Sequence, residues 1–213
     1  MRDAILKSQI RSSIREQRSL LSAEQTDDGK EILKENFMSR ELDPELRSII
    51  SSAKCVALYK AVNGELSCDG VTEYLMSLNK TVCFPRVKGD TMDFYEIKDM
   101  NMDFSTGAYN IPEPRKEMRK IQPEDIDLMI VPAVAFTDDG IRLGQGGGYY
   151  DRFLNALAAK NKAPYTIGVC YDFQMYSALP VEKHDYAVDC VLCVCVTDTI
   201  EDDTDEDFTE EEV

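Results

Sequence analysis

The sequence predicts an α/β protein, a three-layer sandwich in which a sheet rich in parallel strands lies between helices. Short apolar runs alternate with stretches of helical period over most of the chain, and this alternation is typical of parallel strand pairing. The 213 residues are 43% hydrophobic and 30% charged, a globular composition that excludes a fibre or a wholly disordered chain.

Two helices are predicted at the amino terminus. Apolar residues recur at helical spacing over residues 3–21, and the cations of this segment form a second stripe at spacings of four, four and three: Lys7, Arg11, Arg15 and Arg18. Ser22-Ala-Glu-Gln25 fits a capping box, so a second helix is predicted to begin there and to continue through Phe37.

Strands and helices alternate after Pro44. The predicted strands cover residues 55–59, 81–84, 92–97, 127–131, 166–170 and 190–196, and the predicted helices cover residues 68–78 and 149–160. An irregular stretch rich in Gly and Pro continues to Pro114. Since no internal repeat and no linker divides the pattern, residues 1–197 are predicted to form a single domain.

Charge is concentrated at the carboxyl end. The formal net charge is −16, but residues 198–213 contain ten carboxylates and no Lys or Arg, which leaves the rest near −6. Such a segment cannot bury enough apolar area to offset its ordering entropy, so a disordered acidic tail is predicted, with a docking role as the alternative.

Hydropathy indicates the compartment. No window approaches the ~20 apolar residues of a membrane span, and the amino terminus lacks the layout of a secretion signal. We therefore expect a cytoplasmic monomer that binds small molecules and neither nucleic acid nor membrane. The Cys190-x-x-Cys193-x-Cys195 spacing could indicate a zinc site. In a strand, however, side chains alternate faces, so Cys190 would point away from Cys193 and Cys195, and the chain has one histidine. We therefore do not expect zinc there.

The stretch from Ile130 to Leu154 predicts an anion site. It combines a strand, a turn, a loop with glycines at 144, 146, 147 and 148, and the start of a helix, the layout that presents backbone N–H groups to an anion. Arg142 can grip a phosphate and Asp151 can hold Mg²⁺. Tyr149-Tyr150 stands where a Walker A loop needs Lys and Ser or Thr, and the glycine spacing does not fit a dinucleotide fingerprint. A flexible turn is the alternative.

The string Gly140-IRLGQGGGYYDR, preceded by VPAVAF, closely resembles the signature of the 5-formyltetrahydrofolate cyclo-ligase family. Other blocks resemble the family in the same order: Lys7-x-x-x-Arg11 and the residues 59–65, 83–86, 110–114 and 179–191. The resemblance covers residues 7–196. Many family members carry a basic side chain in the glycine loop, where this chain has Gln145 and Gly147.

The resemblance implies a ligase that uses ATP and Mg²⁺ to close 5-formyltetrahydrofolate into 5,10-methenyltetrahydrofolate through a phosphorylated formyl group. It implies Lys7, Arg11 and Arg142 as the catalytic cations. The implied ATP site also contains Leu143, Gly144, Gln145, Gly146, Gly147, Gly148, Tyr149 and Tyr150; the implied folate site contains Tyr59, Glu65, Tyr109 and the loop from Gln145 to Tyr149; and the implied magnesium ligands are Asp151 and Asp189.

Two other functions stay open at this point. The predicted architecture resembles that of sugar-phosphate isomerases and CoA-transferases, so an isomerase-like enzyme is one alternative. A non-catalytic protein that binds folate or an anion is the other.

Overall fold

A computed structural model describes residues 2–107 and 111–196 of the chain. Tyr109 and residues 197–213 lie outside the described residues, together with the predictions made for them. The helices are α1 (Arg2–Leu20), α2 (Ala23–Met38), α3 (Pro44–Ser52), α4 (Asp69–Ser77) and α5 (Tyr149–Ala158). The strands are β1 (Cys55–Ala57), β2 (Thr81–Lys88), β3 (Thr91–Ile97), β4 (Phe104–Thr106), β5 (Pro112–Pro114), β6 (Lys120–Ile121), β7 (Leu128–Val131), β8 (Ala135–Phe136), β9 (Arg142–Leu143), β10 (Tyr165–Tyr171) and β11 (Cys190–Val194).

The amino-terminal helices follow the capping signals of the sequence. The Ser22 side chain accepts a hydrogen bond from the Gln25 amide, and the Gln25 side chain accepts one from the Ser22 amide, which confirms the predicted capping box. Helix α3 is absent from the sequence-based prediction. It begins at Pro44 for two reasons. The Asp43 carboxylate accepts hydrogen bonds from the Glu45 and Leu46 amides, and proline at the first helical position has no N–H group that would need a partner.

The central sheet has seven strands in the order β11-β10-β7-β1-β2-β3-β6. The first five pair in parallel, as predicted, whereas β3 and β6 pair antiparallel. Only Gly89 and Asp90 connect β2 to β3, and a two-residue connection is far too short for a parallel crossover. Helices α2, α3 and α4 pack on one face of the sheet.

Side chains that alternate along the strands point into two hydrophobic cores, one on each face of the sheet. In β7, Leu128 and Ile130 point into the core shared with α2, α3 and α4, whereas Met129 and Val131 face the core that contains Leu154 of α5. The chain is therefore an α/β protein with a mostly parallel sheet between helices, as predicted. No helix of the described segments has the length and apolar character needed to cross a membrane.

Candidate active site

A cavity of about 780 Å³ lies at the carboxyl ends of β1 and β7. Ligands of parallel α/β sheets commonly bind at this edge, because the loops that follow the strands converge there. Five segments contribute to its wall: α1, the loop after β1, the glycine loop, the start of α5 and residues 182–185. Apolar side chains also line it, namely Phe84, Pro85, Val87, Met92, Ile111, Pro112, Pro132 and Ala133.

Helix α1 directs the predicted cations toward this cavity. Lys7 Nζ lies 2.9 Å from Glu182 Oε1 and 3.1 Å from Asp185 Oδ2. Burial opposes the charge on Lys7, but the hydrogen bonds to these two carboxylates outweigh it and raise the lysine pKa. Arg11 Nε donates to the Gly144 carbonyl at 2.9 Å. The helical spacing of the two residues, four apart, places both on the cavity side.

The glycine loop needs its glycines at two positions in particular. Gly146 has φ of +104° and Gly148 has φ of +64°, backbone conformations that side chains with a Cβ rarely adopt. Gly148 is the residue that caps the start of α5. The unpaired amides of the first turn of α5 therefore begin at the cavity, where they favour a bound anion.

Arg142 and Asp151 form an ion pair in the wall of the cavity. Arg142 Nη2 lies 2.5 Å from Asp151 Oδ1, and the arginine side chain is only 3% exposed. Burial lowers the pKa of Arg142 although Asp151 opposes that effect. Arg142 Nε has no hydrogen-bond acceptor within the described ranges. A buried guanidinium with an unpaired N–H is a donor available to an anionic ligand.

Glu65 occupies the opposite part of the cavity, in the loop after β1. The residue is buried, and burial raises the pKa of its carboxyl group although Arg18 partly offsets this effect. Gln145 of the glycine loop donates to Glu65 Oε1 at 3.4 Å, and Arg18 Nη1 lies 3.6 Å from the same oxygen. Gln145 thus connects the glycine loop to the predicted folate-binding residue.

With one exception, the remaining predicted residues within the described ranges also lie at the cavity, where most of them support its walls. The Tyr59 hydroxyl donates to the Leu66 carbonyl at 2.5 Å. Tyr150 presents its ring to the Arg142 guanidinium at 5.8 Å, and the Tyr149 hydroxyl donates to the Gly89 carbonyl at 3.3 Å. Leu143 also lines the cavity and packs in the small core between α1 and the β8–β9 hairpin.

Asp189 is the exception. It immediately precedes β11, at the amino end of the parallel strands, whereas the cavity lies at their carboxyl ends. Its Oδ2 accepts hydrogen bonds from the Thr166 amide at 2.7 Å and the Thr166 hydroxyl at 2.6 Å. The structure does not bring Asp189 to Asp151, and the assignment of Asp189 as a magnesium ligand is corrected: its carboxylate aligns the starts of β10 and β11.

Sequence reasoning missed three further acidic residues that reach the cavity. Glu182 and Asp185 both line it, in the same carboxy-terminal block that contains Asp189. Glu113 is a second buried carboxylate in the wall and accepts a hydrogen bond from the Val87 amide. One sequence signal could have identified Asp185 as a site residue. It lies in a loop, whereas Asp189 directly precedes a strand, and binding and catalytic residues are commonly found on loops.

The carboxylates fit a magnesium ion that is held jointly with a ligand. The described residues contain no group of three or more His, Cys, Asp or Glu able to hold a metal alone. Mg²⁺, however, is usually bound by one or two carboxylates together with phosphate oxygens. Asp151 and Asp185 suit that arrangement, because both line the cavity and the Tyr186 amide donates to Asp151 at 3.1 Å.

Known proteins resemble this chain over most of its length. The family model for the 5-formyltetrahydrofolate cyclo-ligase family matches residues 4–194. The 5-formyltetrahydrofolate cyclo-ligase of Haemophilus influenzae is 30% identical over 182 residues, which is 84% of this chain and 92% of that protein. The Saccharomyces cerevisiae cyclo-ligase is 29% identical over 178 residues, covering 73% of this chain and 83% of its own length.

A solved structure agrees with these sequence matches. The 5,10-methenyltetrahydrofolate synthetase of Aquifex aeolicus superposes with a TM-score of 0.72 at 32% identity, and the match covers 88% of this chain and 89% of that one. The family model, the relatives and the fold therefore agree, and the chain belongs to the 5-formyltetrahydrofolate cyclo-ligase family of enzymes.

Proposed function

We propose that this chain uses ATP and Mg²⁺ to convert 5-formyltetrahydrofolate into 5,10-methenyltetrahydrofolate, ADP and phosphate. The observation that carries the proposal is the contact between Gln145 and Glu65. This contact links two regions of one cavity. The first region is cationic and glycine-rich, which suits a triphosphate, and the second contains a buried carboxylate, which suits a ring with N–H donors. A ligase that phosphorylates one substrate with the other needs both regions side by side.

The reaction requires activation of a formamide. The formyl carbon on N5 is a poor electrophile, and its oxygen is a poor leaving group. Transfer of the γ-phosphoryl group to that oxygen breaks the bond to ADP and gives an iminium phosphate. N10 then attacks the carbon and loses its proton, and the C–O bond breaks to release phosphate. Because no step needs an enzyme nucleophile, alignment and charge neutralisation carry the catalysis.

Arg142 and the glycine loop are suited to the phosphoryl group. The unpaired Nε–H of Arg142 and the amides at the start of α5 can donate to phosphate oxygens. Lys7 and Arg11 approach from α1, with Lys7 exchanging part of its contact with Glu182 and Asp185 for the phosphate chain. In a chain with Gln145 and Gly147 in the loop, these cations would supply the charge that a basic loop residue provides in many family members.

The folate end of the cavity combines one carboxylate with apolar walls. Glu65 can accept hydrogen bonds from pterin N–H groups, while Phe84, Pro132 and Ala133 can contact the ring faces. Tyr59 supports this region through its hydrogen bond to Leu66. Gln145, which reaches Glu65 from the glycine loop, can contact the formyl oxygen as it receives the phosphoryl group.

Asp151 and Asp185 would hold magnesium against the phosphates. The bound ion would neutralise phosphate charge and fix the orientation of the γ-phosphoryl group. Asp151 is already oriented by Arg142 and by the Tyr186 amide. Asp185 is oriented by Lys7. Burial raises the pKa of Asp185, but the hydrogen bond from the Glu182 amide and the charge of Lys7 outweigh burial and lower the pKa, so the carboxylate stays ionised and available as a ligand.

A near-ultraviolet absorbance assay tests the proposal. Purified protein with MgATP and 5-formyltetrahydrofolate should produce the methenyl absorbance, and omission of ATP or addition of excess EDTA should abolish it. The exposed Arg47→Ala variant, on α3, serves as the control for loss of an arginine. Folded protein that binds folate without turnover would favour the non-catalytic alternative. Isomerisation of a sugar phosphate without folate turnover would favour the isomerase-like one.

A further inference from the structure

Arg18 is a buried cation that the proposed mechanism does not yet use. Its side chain is 3% exposed, and it lies on α1, seven residues beyond Arg11. Burying a guanidinium is costly unless partners replace the lost water. The contacts of Arg18 therefore indicate what the molecule gains from placing a cation there.

Three contacts join Arg18 to the folate end of the cavity. Its Nη2 donates to the Ala133 carbonyl at 2.8 Å, and its Nη1 lies 3.6 Å from Glu65 Oε1. The loop that carries Glu65 also packs directly on the helix at this residue. A Cβ added to Gly64 would lie 2.9 Å from Arg18 Cβ, and Gly64 has φ of +73°.

The charge on Glu65 depends on these surroundings. Gln145 also donates to this carboxylate, and Tyr59, Cys68 and Tyr150 interact with it electrostatically. Burial raises the pKa of both tyrosines and of the Cys68 thiol, so these three groups are uncharged near neutral pH. Within the described ranges, Arg18 is the charged group that lowers the pKa of Glu65.

We infer that Arg18 is a positioning residue that holds Glu65 ionised and correctly oriented for the folate ring, by joining α1, the loop after β1 and the segment that follows β7. The inference rests on the proposed function, because the proposed role of Glu65 is to bind the pterin. It also gives α1 two tasks: Lys7 and Arg11 serve the phosphates, and Arg18 serves the folate.

Arg18→Met and Arg18→Lys test the inference, with Arg47→Met as the matched control on the exposed face of α3. Loss of the buried charge in Arg18→Met should raise the pKa of Glu65. The acid limb of kcat/KM for folate should then move to higher pH, because folate binding needs the ionised carboxylate. The KM for folate should rise roughly tenfold or more while the KM for ATP changes by less than about twofold.

Arg18→Lys distinguishes the effect of Arg18 on the ionisation of Glu65 from its effect on the orientation of Glu65. It also provides a test if Arg18→Met does not fold. A lysine keeps the positive charge, so the acid limb should stay near that of the parent protein. A single ammonium cannot reproduce the two-sided contact with Ala133 and Glu65, so the KM for folate should still rise. An unchanged KM for folate in Arg18→Lys would overturn the inference.

Titration of Glu65 by carbon NMR in the ligand-free protein, with the resonance assigned through Glu65→Gln, separates the inference from the proposed function. If the parent protein shows no turnover, the proposed function fails, and the titration still decides whether Arg18 controls Glu65. A Glu65 pKa that is the same in the parent protein and in folded Arg18→Met would refute the inference. Equal increases in the KM of both substrates would also refute it, because they indicate a general structural defect.

Discussion

Replacement of Arg142 by alanine should abolish most of the activity without unfolding the protein. Arg142 Nη2 lies 2.5 Å from Asp151 Oδ1, and Nε is buried without an acceptor among the described residues. The variant therefore loses a preorganised cation where we propose that phosphoryl charge develops. We expect kcat/KM for ATP to fall about 10³-fold, equivalent to ~4 kcal/mol of transition-state stabilisation.

The stability cost should be smaller than the catalytic one. Removal of one partner of a fully buried ion pair costs about 3–5 kcal/mol. Asp151 is 16% exposed and lines the open cavity, so water can solvate its freed carboxylate. We therefore expect a loss of about 2 kcal/mol, or a fall in Tm of about 5 °C in a chain of this size.

Initial rates of methenyl formation and thermal melts measure the two effects separately. Arg142→Lys keeps the positive charge but loses the planar fork, and it should recover only part of the activity. Arg47→Ala should match the parent protein in both measurements, because Arg47 is exposed and does not line the cavity. A folded Arg142→Ala protein with kcat/KM within about threefold of the parent would remove Arg142 from the mechanism.

Three further predictions follow from the corrected site. Asp185→Asn should raise the Mg²⁺ concentration needed for half-maximal rate. Asp189→Asn should leave that concentration unchanged and lower the free energy of unfolding by about 1–2 kcal/mol in urea denaturation. The reverse pattern would restore Asp189 as the magnesium ligand. Gly148→Ala should lower kcat and destabilise the chain by about 1 kcal/mol, because alanine is strained at positive φ, and a variant as stable and active as the parent would contradict the proposed role of the loop. Truncation after Thr197 should leave turnover and Tm unchanged, since the acidic composition predicts no ordered packing, and a large loss of activity would assign the tail a role.

The sequence alone predicted the layered fold because its signals are local. Apolar period distinguishes strands from helices, and Ser22 and Gln25 define the start of α2 by a capping box that the structure contains. The spacing of Lys7 and Arg11 places both on one helical face for the same reason. Helix α3 was not predicted although the sequence contains a local signal for it. Asp43 is the N-cap residue and Pro44 is the first helical residue, a combination that is favourable at a helix start.

Only the tertiary structure decided which charged groups meet. Asp185 and Asp189 lie four residues apart in one block, yet Asp185 lines the cavity at the carboxyl edge while Asp189 aligns two strands at the amino edge. The contacts of Glu65 with Arg18 and Gln145 join residues 47 and 80 positions apart. Such contacts depend on how β1, β7 and α1 pack together, and no local pattern of charge or hydropathy encodes that packing.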